Sequence, residues 1–155
     1  MKNLALLRRL VPATLIAGLL VSAGAQAQFR KVDDAVEYRK AALHLMGAHF
    51  GRIGAVVKGD KPYDKAAVEA DVAVIEMMSK LPWPAFIPNS AGGHSKAKPE
   101  IWSQQAEFKT ATEKMEGEVA KLSAAAKSGD LAAIKVSFGS TGQSCKSCHD
   151  NFRNR

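Results

Sequence analysis

Two cysteines and a histidine near the end of the sequence combine residue types and spacing that can do chemistry. Cys145 and Cys148 are the only cysteines among the 155 residues, and His149 directly follows the second. Helix positions three and four apart are neighbours, so on a helix these three side chains share one face. Covalent haem attachment needs two thiols to bond the vinyl groups and an imidazole to reach the iron. The C-x-x-C-H pattern therefore predicts a c-type haem site.

Three other chemistries can use the same residues. A disulfide is favoured in an oxidising compartment, but it leaves the adjacent His149 unexplained. A redox dithiol usually lies at a helix start after a strand, and no strand pattern precedes this cluster. A zinc site would have to recruit His44, His49 or His94, which share no metal-ligand spacing. Haem attachment is favoured, and these alternatives stay open at this point.

Residues 1–27 have the pattern of a secretory signal peptide. A basic start precedes an apolar stretch over 10–21, and an A-x-A cleavage pattern ends at Ala27. The apolar stretch is shorter than the roughly 20 residues of a membrane span, so an uncleaved anchor is the weaker alternative. We expect export to the periplasm and a mature domain over 28–155, with no stable membrane anchor after cleavage.

The net charge changes once the signal peptide is set aside. The whole sequence has a formal charge of +7, but three basic residues and no acidic ones lie in residues 1–27. The mature chain, with 19 basic and 15 acidic residues, is therefore only mildly basic at +4. It has no run of lysines and arginines with interleaved aromatics, so a nucleic-acid partner is not predicted. The positive charge favours an acidic protein partner.

Four segments of the mature chain have the apolar periodicity of amphipathic helices. Apolar residues recur at spacings of three and four, which predicts helices over about 33–58, 64–80, 99–127 and 130–152. Asp33 or Asp34 is expected to cap the first helix, and Asp130 the fourth. Residues 82–99, rich in proline and glycine, are expected to form the long connection, with Trp83 and Phe86 against the core. This organisation predicts an all-α fold, an antiparallel four-helix bundle.

The buried faces of the first and fourth helices have unusual members. Cys145 and Cys148 occupy seam positions of the fourth helix, so their sulfurs are expected to face the interior. Arg39 places a charge on the first-helix seam. A haem between the helices would fill an alanine-rich core that is poor in aromatic residues, and a propionate could pair with Arg39. The alternative is an arginine whose head reaches solvent at the bundle rim.

The mature chain as a whole resembles class II c-type cytochromes, and within them the cytochrome c′ family. The resemblance rests on CKSCHDNFR near the C-terminus, EYRKAALHLM in the first helix, and LPWPAF and PEIW in the middle. It implies an up-down-up-down bundle with one haem c per chain in its core. It also implies thioether links to Cys145 and Cys148, with His149 as the proximal axial ligand of the iron.

The resemblance also implies roles for charged residues around the haem. Arg153 matches the basic residue that the family keeps beside the proximal histidine; the alternative is an exposed cation at a helix C-terminus. Arg39, and with it Lys40, matches the first-helix contacts to the haem edge.

The residue over the open face of the iron separates two functions. The family pattern places Leu43 there, which implies a five-coordinate, high-spin iron that binds NO and CO or carries single electrons. The alternative is Met46 as sixth ligand, giving a low-spin cytochrome that acts purely as an electron carrier; Met46 can also be ordinary core filler. His44 points about 100° away from Leu43, so peroxidase chemistry is not expected. We expect no enzymatic activity.

A second stripe beside the first-helix seam has two readings. It consists of Tyr38, Ala42, Leu45 and His49. It is either the wider buried face that bundle helices need or a homodimer contact of the kind the family makes through its first helix. The expected partners are thus a second copy of the chain, NO or CO, and a periplasmic redox protein.

Overall fold

The computed structural model describes residues 28–92 and 94–155. The predicted signal peptide, residues 1–27, lies outside the described residues. Five α-helices follow one another, and they are α1 (Val32–Lys58), α2 (Lys65–Met78), α3 (Glu100–Ser103), α4 (Gln105–Ser128) and α5 (Leu131–Phe152). The predicted all-α class is confirmed.

The four long helices form the predicted bundle. In the ring of helices, α1 packs on α2, α2 on α4, α4 on α5, and α5 on α1. Apolar side chains from all four helices meet in one core cluster, which includes Ile53, Val72, Leu122 and Ile134. None of the helices within 28–92 and 94–155 is long and apolar enough to cross a membrane.

The helix ends follow local capping chemistry, with one correction. Asp130 begins α5 by accepting from the backbone N–H groups of Ala132 and Ala133, at 2.8 and 3.3 Å. The predicted cap of α1 is wrong, because Lys31 is the N-cap residue and no side chain caps this end. Asp33 and Asp34 instead lie in the first turn, where negative charge complements the helix dipole.

The predicted third helix is divided in two. The chain breaks between α3 and α4 at Gln104, whose φ of −123° and ψ of 54° are not helical. The indole of Trp102 in α3 donates to the carbonyls of Phe86 and Ile87, at 3.1 and 3.0 Å. These bonds tie α3 to the loop that precedes it, which explains why α3 does not continue straight into α4.

Contacts between α1 and α5 fix their relative register. The Phe50 and Phe138 rings stack at 4.1 Å with an interplanar angle of 11°. A Cβ at Gly142 would make an ordinary contact with the Phe50 ring at 3.7 Å, whereas one at Gly54 would lie only 3.1 Å from the Phe138 ring, so the missing side chain at Gly54 lets that ring approach α1. Phe50 is level with 138–142 of α5, and α1 and α5 run antiparallel. Leu43 precedes Phe50 by seven residues, so it is level with 145–149. Met46 lies level with 142–146, about one turn away.

Candidate haem site

The predicted attachment residues lie together on the last turns of α5. Cys145, Cys148 and His149 all fall within the helix, so they share a face within one turn. Both cysteines are free thiols and partly buried, and Cys145 packs against the hydrophobic core cluster. His149 is exposed. The predicted seam position is confirmed for Cys145.

The protonation equilibria of these groups are shifted by their surroundings. Burial raises the pKa of the Cys148 thiol to about 11, with the neighbouring Cys145 sulfur as the second cause. Burial likewise raises the pKa of Cys145. The pKa of His149 is lowered, first by burial and then by the charge of Arg153, while Asp150 opposes the shift. The neutral imidazole is the form that can bind a metal.

The facing part of α1 is apolar and incompletely covered. Leu43, Met46 and Phe50 on the α1 seam are only partly buried, although Ile53 further along the same seam is fully buried. Of the four neighbouring pairs of long helices, α1 and α5 pack most sparsely. Half-exposed apolar side chains on α1 are thus level with half-exposed cysteines on α5. A flat apolar group would cover both, so the residues present fit a covalently attached haem.

Arg39 is buried and bound to the loop after α2. Only 2% of it is exposed, so the alternative of an arginine reaching solvent at the rim is wrong. Its Nη1 donates to Ala85 O and Ser90 Oγ, and its Nη2 donates to Ser90 O and Ser95 Oγ. These four distances are 2.5 to 3.0 Å. The guanidinium also lies 4.5 Å from the centre of the Phe86 ring. Burial lowers the pKa of Arg39. The propionate contact stays a prediction. Nε is the one guanidinium nitrogen of Arg39 without a protein acceptor in residues 28–92 and 94–155, so it is the donor left for a propionate.

Ser90 and Ser95 were not singled out by sequence reasoning. They lie 51 and 56 residues from Arg39 in a loop without periodicity, so no local pattern links them to it. The predicted packing of the loop aromatics against the core is confirmed for Trp83. Trp83 packs against the core cluster, and its ring lies 6.1 Å from that of Phe86.

The two other charged residues of the predicted site lie at the surface. Lys40 is exposed and pairs with Glu37 at 2.8 Å. Arg153 is the exposed C-cap residue of α5, and its backbone N–H donates to His149 O at 3.0 Å. Their predicted contacts with the haem edge and the proximal histidine stay predictions.

The second stripe of α1 is divided between internal contacts and solvent. Ala42 is buried, and His49 Nδ1 lies 2.6 Å from Asp71 Oδ1 on α2. Tyr38 packs on Phe29 at 5.3 Å between ring centres. Leu45, in contrast, is 45% exposed. The stripe therefore serves the wider buried face in part and leaves one large apolar residue uncovered.

The alternative zinc site is not formed. Within residues 28–92 and 94–155, no group of three or more His, Cys, Asp and Glu side chains is arranged to hold a metal ion. His44 and His94 are exposed, and His49 is bound to an aspartate on the next helix.

Comparison with known proteins agrees with this site. Residues 34–153 match the family model described as Cytochrome C′. The cytochrome c′ of Alcaligenes xylosoxydans xylosoxydans is 50% identical over 128 residues, which cover 83% of this chain and 99% of that relative. The solved cytochrome c′ of Rubrivivax gelatinosus, 45% identical, covers 82% of this chain and 100% of its own, with a TM-score of 0.79.

A further solved structure is a nitric oxide complex of a leucine-to-alanine variant of cytochrome c′ from Alcaligenes xylosoxidans. It is 48% identical, covers 83% of this chain and 99% of its own, and has a TM-score of 0.78. Similarity therefore extends over the bundle and the attachment pattern together. Haem c is bonded through the two cysteines of C-x-x-C-H, which here are Cys145 and Cys148. The chain belongs to the cytochrome c′ family, haem c proteins that bind gases or carry single electrons.

Proposed function

We propose that this protein is a periplasmic haem protein whose five-coordinate, high-spin iron binds NO and CO and exchanges single electrons. His149 is the proximal ligand, and Leu43 covers the opposite face. The observation that supports this most directly is the register of α1 against α5. It makes Leu43 level with 145–149, the whole attachment turn, whereas Met46 is level with 142–146 and so with Cys145 alone.

The side chain of Leu43 gives the open face its selectivity. A leucine has no lone pair, so it leaves the sixth coordination position without a protein ligand. Its apolar surface disfavours water and ions there, because a buried charge or an unpaired polar group is costly. A small uncharged gas pays neither cost and needs only a rotation of the leucine.

The bound haem supplies a one-electron Fe(III)/Fe(II) couple and a position for a gas ligand. The chain's own residues do the rest. Cys145 and Cys148 hold the group in a fixed orientation, and the end of α5 orients His149. His44, the polar residue beside Leu43, is exposed, and no enzymatic step is proposed. The solved nitric oxide complexes of relatives support gas binding.

Absorption spectroscopy of the purified mature holoprotein tests this function. The alkaline pyridine spectrum should be that of c-type haem, the ferric spectrum should be high-spin, and the reduced protein should bind CO. Leu43→Ala should speed CO association about tenfold, which corresponds to a barrier lower by about 1.4 kcal/mol. Met46→Leu, the matched control from the same helix, should leave the spin state and the CO rate unchanged.

Two results would contradict the proposal. A low-spin wild-type spectrum that Met46→Leu converts to high-spin would identify the methionine as sixth ligand and leave a pure electron carrier. A pyridine spectrum without c-type haem would remove both functions together. Export is tested separately, by determining whether the N-terminus of protein recovered from the periplasm is Gln28.

A further inference from the structure

We propose that one end of the bundle is the docking surface for an acidic, oxidised electron-transfer protein. This surface, which we name the basic end, consists of Lys96, Lys98, Lys146, Arg153 and Arg155. The inference rests on the proposed electron-transfer function and adds the place and the chemistry of the partner.

Backbone bonds hold two remote segments together at the basic end. Residues 96–98 pair with the end of α5: Lys98 N–H donates to Phe152 O at 3.0 Å, and Asn154 N–H donates to Lys96 O at 2.8 Å. Between these bonds, Ala97 and Arg153 form an isolated antiparallel bridge. Backbone geometry therefore holds residues 96–98 beside residues 152–154.

Side-chain bonds add Lys146 and Asp150 to the same surface. Lys98 Nζ donates to the Asp150 carbonyl at 2.9 Å. Lys146 Nζ pairs with the Asp150 carboxylate at 2.5 Å. The charge of Arg155 also acts on that carboxylate. Lys98, Lys146 and Arg155 therefore surround one acid, Asp150, and Lys96 and Arg153 belong to the backbone segments beside them.

The basic end accounts for the whole excess charge of the mature chain. Residues 28–155 contain 19 basic and 15 acidic side chains. Outside the basic end and its Asp150, 14 of each remain, so the rest of the molecule is balanced. Glu100 follows the 96–98 segment, but its Oε2 is buried and does not face a partner. The net positive charge of these five side chains and Asp150 can steer an acidic surface towards them.

The basic end surrounds the attachment turn. Lys146 lies between the two cysteines in sequence, and Arg153 lies one helical turn beyond His149. A partner held there approaches the redox centre. The bound haem would supply one electron, its iron going from ferrous to ferric, to an oxidised partner such as a copper centre that goes from Cu(II) to Cu(I).

The surrounding surface favours a protein over a membrane or a nucleic acid. The most exposed large apolar side chains of the described residues are Val32, Leu45, Met77 and Val136, and none of them lies within 96–98 or 145–155. A membrane-binding surface would present apolar residues to insert beside its cations. Nucleic-acid binding would need a longer basic stripe with stacking aromatics.

Stopped-flow oxidation of the reduced holoprotein by an acidic blue-copper protein, oxidised plant plastocyanin, tests this inference. The double variant Lys96→Glu, Arg155→Glu should lower the second-order rate about tenfold. The matched control Lys58→Glu, Lys61→Glu changes the net charge equally. Lys58 and Lys61 lie at the other end of the bundle. The distance between the two ends is about 30 Å, the length of the 22-residue helix α5. The control should change the rate less than about twofold.

Salt dependence and spectra complete the experiment. The wild-type rate should fall as ionic strength rises, and that of the basic-end variant should not. Both variants should keep the wild-type absorption spectrum and CO affinity, so a loss of rate is a loss of docking. Because the assay needs only the iron couple, a failed assignment of Leu43 or of gas binding leaves this test intact.

Three outcomes would overturn the inference. Equal rate losses in the two double variants would show that only net charge matters. A wild-type rate independent of salt would show that no charged encounter takes place. An unchanged plastocyanin rate, with loss of binding to phosphatidylglycerol vesicles in the basic-end variant alone, would assign the surface to a membrane.

Discussion

Arg39 is the charged side chain that is buried almost completely within residues 28–92 and 94–155. A buried guanidinium is tolerated only when its donors are satisfied, and here four N–H groups reach acceptors between 85 and 95. Arg39 therefore organises the loop after α2. This role holds whether or not a propionate reaches Nε.

Replacing Arg39 by methionine should lower the free energy of unfolding by about 3 kcal/mol, because charge-assisted bonds to Ala85, Ser90 and Ser95 are lost. Guanidinium denaturation of the holoprotein measures the change. Arg52→Met is the matched control on the same helix. Arg52 is exposed, and its ion pair with Asp71, at 3.3 Å, is a surface pair. Its loss should therefore cost less than about 1 kcal/mol. Equal losses in the two variants would contradict the role of Arg39.

Sequence reasoning reached individual residues unevenly. The spacing identified Arg39 as a charge on a buried seam, because periodicity along one helix reports which face is covered. It could not identify the acceptors, since Ser90 and Ser95 come from an irregular loop. The Cys145, Cys148 and His149 group was the easiest part, because all of its geometry lies within one helical turn.

Among the helices, the clearest local determinant is the cap of α5. Asp130 accepts two backbone N–H groups of the first turn, which would otherwise lack acceptors. This cap begins the helix that bears the whole attachment pattern. Its strength therefore affects how firmly the site is held.

Asp130→Ala should lower the free energy of unfolding by about 1 kcal/mol, because two N–H groups of α5 lose their acceptor. Thermal unfolding followed by circular dichroism measures the change. Asp60→Ala is a suitable control, since Asp60 is exposed in the turn after α1. A control that loses as much stability as Asp130→Ala would show that the effect is general charge loss.

Helix existence was predictable, and helix continuity was not. The four amphipathic patterns are strong because each helix buries one face. The break at Gln104 depends on bonds from Trp102 to carbonyls 15 and 16 residues away. Such remote side-chain bonds have no periodic signature, so the pattern predicted one helix where there are two.

For the whole molecule, the uncovered apolar residues raise the question of self-association. Leu45 on α1 is 45% exposed and Met77 on α2 is 63% exposed. Two apolar residues on neighbouring helices are compatible with the predicted homodimer through the first helix.

Leu45→Asp should convert the protein to monomers, because a carboxylate would be desolvated at the contact. Sedimentation equilibrium measures the mass. Val136→Asp is the control, since Val136 on α5 is 71% exposed and lies outside the predicted contact. A wild-type protein that is already monomeric would end the homodimer proposal.

The bundle as a whole was predictable, but the axial register of its helices against one another was not. Helical periodicity shows which faces pack, and short turns favour antiparallel neighbours. The register of α1 against α5 depends on how Phe50, Phe138 and Gly142 fit together across the bundle. No pattern within either helix contains that information.

The Phe50–Phe138 stack also has a consequence for maturation. It joins α1 and α5 through protein atoms alone, well away from the cysteines, so this half of the interface can form before porphyrin is attached. In a Cys145→Ser, Cys148→Ser chain, we expect amide protons near Phe138 to exchange slowly and those near Leu43 to exchange fast. Uniformly fast deuterium uptake would show instead that the apoprotein has no preformed scaffold.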